Sequence, residues 1–196
     1  RHGHALDADA FFRDTAGRHG REIIAKYLGE DADHVTLLAE KEIVYRELYG
    51  PHLATVAGFD ALTASARRNK VALVVGSAAP TENIDFTLDG LDLRQRFDAI
   101  VGASDVERGK PHPDVFLKGA QLAGALPHNC IVFEDAPLGV EAARRAGMRA
   151  VVLTTTLPAE AFAAFDNVIA IVPDFSTLDV DALFASVAPA LAPHHQ

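Results

Sequence analysis

The sequence predicts an α/β fold, a doubly wound parallel sheet with a helical region ahead of it, and three observations carry this. Five short apolar runs follow one another from residue 71 onward, each closed by a turn-forming or polar residue. Stretches with helical spacing of small and apolar residues separate these runs. The first 55 residues carry helical patterns and no convincing strand. Strands alternating with helices form parallel sheets covered on both faces, and strands buried on both faces read as continuous apolar runs.

The helical region is taken first. Ile23, Ile24, Tyr27 and Leu28 recur at helical spacing, and a longer pattern follows with Leu37, Val44, Tyr45 and Leu48 on one side. Gly50-Pro51 ends it. Residues 1–55 therefore read as a helical domain and 56–196 as the α/β core. Within the core, the strands are expected at Val71–Val75, Ala99–Val101, Cys130–Phe133, Ala150–Leu153 and Val168–Val172. Phe116, Gly119, Ala120 and Ala123 form a helical stripe, and Gly139, Ala142, Ala143 and Ala146 form another whose small residues admit close approach to a sheet. Glu141, Arg144 and Arg145 fall on the opposite face of the second helix. The alanine-rich tail after Leu183 predicts a last helix.

Composition sets limits on function. Of 196 residues 49 % are hydrophobic, enough for a substantial core, and 27 acidic against 18 basic residues leave a net charge of −9. Such a balance excludes a nucleic-acid surface, which needs clustered Lys and Arg. A small phosphorylated metabolite needs only a local cationic site, and remains open. Cys130 is the single cysteine, so no disulfide can form within the chain, and a reducing, cytoplasmic setting is expected. No apolar run has the ~20 residues of a membrane span. A monomer is expected. Residue 1 is arginine rather than methionine, as it would be in a fragment, a processed chain or an incomplete gene model.

In open α/β sheets, ligands sit at the carboxyl ends of strands. Three such places carry chemistry here. Ser77 follows the first strand in Val75-Gly76-Ser77-Ala78-Ala79-Pro80. Lys110 lies in Gly109-Lys110-Pro111-His112-Pro113-Asp114, before a helix. Glu134 and Asp135 follow the strand ending at Phe133. Each residue alone has a structural explanation: a serine turn, a solvated lysine, an aspartate capping the helix that Pro137 opens. Their order and spacing say more than any one of them.

The order strand-Gly-Ser, then Lys-Pro-His-Pro-Asp, then Val132-Phe133-Glu134-Asp135 through Gly147-Met148 resembles the haloacid dehalogenase superfamily, in its β-phosphoglucomutase-like phosphatase branch. The resemblance covers residues 56 to about 180. It implies a magnesium-dependent phosphoryl transfer on a small phosphorylated metabolite, a sugar-phosphate phosphatase above all. It implies that Ser77 and the amide of Ala78 hold the transferring phosphate, that Lys110 offsets negative charge, and that Asp135 and Glu134 bind Mg²⁺. Residues 1–55 resemble the family's cap, whose loop Gly17–Glu22 would bring Arg18 and Arg21 to the substrate. The family's nucleophile is the first aspartate of Asp-Xaa-Asp after an N-terminal central strand, and no such strand precedes the cap here. Asp7-Ala8-Asp9, Asp31-Ala32-Asp33 and Asp179-Val180-Asp181 have the spacing but lie in helical or C-terminal surroundings. The expectation is an inactive chain with the strands at 71–75 and 130–133 unpaired with each other. The alternatives are a β-phosphoglucomutase and a non-catalytic phosphate- or metal-binding protein.

Overall fold

The computed structural model describes residues 7–15 and 20–186. Its first part is helical: α1 (Ala8–Thr15), α2 (Gly20–Leu28) and α3 (His34–Tyr49), closed by a short 3₁₀ turn at Gly50–His52. Asp33 caps α3, its carboxylate accepting from the Thr36 amide at 3.1 Å. No residue of α3 is buried, and Leu48 is 70 % exposed. The apolar side expected from Leu37, Val44, Tyr45 and Leu48 is thus not a core face; this helix packs chiefly on α2 and reaches the α/β part through a thinner contact with α5 (Thr81–Gly90).

The core begins with α4 (Phe59–Arg68) and continues as β1 (Val74–Gly76), α5, β2 (Ala99–Val101), α6 (Asp114–Leu122), β3 (Ile131–Glu134), α7 (Pro137–Arg145), β4 (Arg149–Leu153), β5 (Val168–Val172) and α8 (Val180–Ala185). All strand pairs are parallel. They form two separate sheets, β1-β2 and β3-β4-β5. Among the described residues β1 pairs only with β2, and β3 only with β4, so β1 and β3 are not paired with each other, as the family resemblance implied. The first strand is shorter than the apolar run 71–75, because only the stretch facing β2 gains a ladder.

An apolar cavity of about 320 Å³ lies between the two sheets. Val74 and Gly76 line it from β1, Ile131, Val132 and Phe133 from β3, with Phe59 and Phe175 among its other walls. The main core sits beyond it, where Val140, Ala142 and Ala143 of α7 and Ala150, Val151 and Val152 of β4 are fully buried. The small side chains of α7 let it lie close on the sheet, as their spacing predicted. Continuous burial holds for β4 but not for β5, where Ile169 and Ile171 are partly exposed on an edge strand. The last helix, α8, starts before the expected tail; residues 187–196 lie outside the described part. No helix among the described residues is long and apolar enough to cross a membrane.

Candidate active site

Ser77 leaves β1 in a tight turn. Its amide donates to the Val101 carbonyl of β2 at 2.9 Å, and its Oγ accepts from the Ala79 amide at 3.0 Å. The loop then enters α5 at Pro80, whose carbonyl accepts from the Asn83 and Ile84 amides. A hydroxyl beside the free end of a helix is suited to an oxyanion. Ser77, Ala78 and Ala79 form the floor of an open cleft of about 850 Å³, and Arg21, Lys41 and Arg46 stand on its helical wall. Arg18 lies outside the described residues.

Lys110 and Glu134 form an ion pair with side chains only 10 % and 8 % exposed. Two aromatic and glycine contacts tie this pair to the Ser77 turn. The Lys110 ammonium sits 4.9 Å from the centroid of the Phe116 ring. That same ring is packed so closely on Gly76 that a Cβ there would stand 3.1 Å from it. Phe116, on α6, therefore bridges the ends of β1 and β3. Gly139 of α7 serves Glu134 in a similar way, since a Cβ at that position would overlap the Glu134 carboxylate.

Asp135 follows directly. Its carboxylate accepts from the Thr156 hydroxyl, and the Thr155 hydroxyl stands 3.5 Å from the same oxygen. The sequence reading missed Thr156. The signal was the polar threonine run closing β4, the strand next to β3. Two carboxylates at one strand end are hard oxygen donors of the kind magnesium takes. Among the described residues no group of three or more His, Cys, Asp or Glu side chains gathers as a cation cage. Glu134 and Asp135 suit the ion in kind, and together they would supply only part of its oxygen shell.

The three Asp-Xaa-Asp pairs go elsewhere. Asp7 accepts from the Ala10 amide at 2.7 Å, Asp33 caps α3, and Asp179 accepts from the Ala182 amide at 2.9 Å. Each therefore starts a helix, which is the structural role that short acidic side chains fill best. Asp181 binds the Ser65 hydroxyl and Arg68. Cys130 is half-buried, and burial pushes its thiol pKa up, which disfavours the thiolate a nucleophile requires.

A serine turn, a buried lysine–carboxylate pair and an adjacent aspartate thus stand at the strand ends of a parallel α/β core. The chain belongs to the haloacid dehalogenase-like hydrolases, whose family model matches residues 8–153. It is 36 % identical over 168 residues to validoxylamine A 7'-phosphate phosphatase from Streptomyces hygroscopicus subsp. limoneus, covering 85 % of this chain and 78 % of that one. It is 47 % identical over 79 residues to the fructose-1-phosphate phosphatase YqaB of Escherichia coli, covering 40 % and 42 %. Among solved structures, β-phosphoglucomutase from Clostridium difficile shares the fold with a TM-score of 0.78 at 23 % identity, over 94 % of this chain and 83 % of that one. The match spans about half the length of some other relatives, 54 % and 47 % in two cases.

Proposed function

We propose that this chain carries the phosphate- and metal-binding part of a magnesium-dependent phosphatase acting on a small sugar or polyol monophosphate. The observation that carries the reading is the buried Lys110–Glu134 pair beside Asp135, linked through Phe116 to the Ser77 turn. Relatives named as phosphatases of a sugar phosphate and of a phosphorylated validoxylamine support the substrate class.

In this reading Ser77 Oγ and the Ala78 amide receive the phosphate oxygens. Lys110 lowers the repulsion between that phosphate and an attacking carboxylate. Asp135 and Glu134 hold magnesium, which when bound neutralises phosphate charge as the ester breaks. Thr156 orients Asp135. Residues 1–55 act as a cap whose Arg21 faces the substrate, and the region around Gly50–Gly58 serves as a hinge. Phosphoryl transfer through a covalent intermediate needs a carboxylate in line with phosphorus. Its place is the gap between β1 and β3, on a strand that neither sheet contributes. On this reading residues 1–196 alone are expected to release no phosphate.

The test is a screen of sugar and polyol monophosphates with the full-length protein and magnesium. Phosphate release that disappears in Asp135→Asn is expected. Release from no phosphate ester, with orthophosphate still bound at the Ser77 turn, would favour a non-catalytic binder instead.

A further inference from the structure

We propose that Asn83 is a positioning residue, an amide latch that fixes helix α3 over the Ser77 turn. Asn83 lies in the first turn of α5 and is only 8 % exposed. Its Oδ1 accepts from Arg46 Nη1 at 2.7 Å, and its Nδ2 donates to Glu42 Oε2 at 2.5 Å. Glu42 and Arg46 are four residues apart on α3, so they share one face and could pair with each other. The Asn83 amide stands between them and satisfies both. Charge-assisted hydrogen bonds of this kind are stronger than neutral ones.

The latch has few helpers. α3 contributes no buried residue. Its other contacts with α5 are aromatic: Tyr45 meets Phe86 edge-on at 6.3 Å, and Phe86 also abuts Gly50. Asn83 and Phe86 are three residues apart and so present one face of α5 to α3. On the core side the connection is stiff, because Pro80, four residues after Gly76, already accepts the Asn83 amide at 3.0 Å. The latch residues also line the cleft above Ser77. Movement of α3 away from α5 must therefore break both hydrogen bonds of Asn83 and open that cleft. Removing the amide leaves Glu42 and Arg46 free to pair on α3, a state in which neither charge is stranded. Loss of the latch should then release the helical unit without unfolding the core.

Hydrogen exchange and small-angle X-ray scattering on the chain and its Asn83→Ala variant test this. Expected are exchange at least tenfold faster along α3, a larger radius of gyration, and unchanged protection in α7 and β4. The Glu42→Gln variant keeps an acceptor for the amide and should retain most of the protection of α3. Equal α3 exchange in the wild type and Asn83→Ala overturns the proposal. So does a loss of protection spread evenly over α7 and β4, which marks a merely structural residue. Calorimetry with orthophosphate, run in parallel, reads the Ser77 site separately, so failure of the phosphatase reading is not mistaken for failure of the latch.

Discussion

Lys110 shows what one buried charge does in this molecule. Its ammonium and the Glu134 carboxylate are both nearly withdrawn from water, and each is compensated by the other. A buried pair gains little over a well-packed apolar pair, yet removing one partner strands the other at a cost of about 3–5 kcal/mol. Lys110→Met should therefore lower stability by about that amount, and adding Glu134→Gln should recover most of it. Urea unfolding of the two variants measures the difference. If Lys110→Met alone is as stable as the wild type, the pair is not desolvated in solution. The importance of Lys110 was legible because its neighbours, two prolines before a helix, stood in a recognisable order. Its partner was not. Glu134 is named by its own motif, but 24 positions separate the two, and nothing in the sequence says that Phe116 brings them together.

At the scale of elements, α7 illustrates how a pattern can be read correctly for only part of its reason. Gly139, Ala142, Ala143 and Ala146 were legible as a stripe for close approach to a sheet, and all four are buried. The glycine has a second reason, the carboxylate of Glu134 lying where its Cβ would be. Intrinsic propensity favours alanine over glycine inside a helix by about 1 kcal/mol. Overpacking a filled site typically costs 1–3 kcal/mol. Gly139→Ala is thus expected to destabilise the protein, by up to about 2 kcal/mol net, despite the better helix former. Thermal unfolding gives the sign, and a raised melting temperature would show that Glu134 moves aside freely. In contrast, α3 defeated its pattern. Helical spacing of Leu37, Val44, Tyr45 and Leu48 was visible, but spacing does not say whether a burying surface exists; this helix packs on α2 and meets the α/β part only by a narrow contact with α5.

For the molecule as a whole, the two sheets and the cavity between them pose one problem. Adjacent strands stand ~4.8 Å apart, so two strands flanking an empty place lie about twice that distance from each other. Among the described residues no ladder satisfies the backbone groups on the facing edges of β1 and β3, and buried backbone groups are nearly always paired. An unfilled apolar cavity of about 320 Å³ is expensive too. One extended segment answers both demands, running parallel to β1 and β3 with apolar side chains on both faces. A synthetic peptide of five or so β-branched residues should therefore bind this chain, raise its melting temperature in proportion to peptide concentration, and slow exchange in β1 and β3 together. A peptide of the same composition with proline at its centre should do none of this, because proline removes the ladder donor. When the apolar peptide ends in Asp-Xaa-Asp-Gly, the proposed function adds an expectation: magnesium-dependent phosphate release from p-nitrophenyl phosphate, lost again in Asp135→Asn. Protection of β1 without β3 would show that the gap is closed by some rearrangement of the sheets, and that no strand belongs between them.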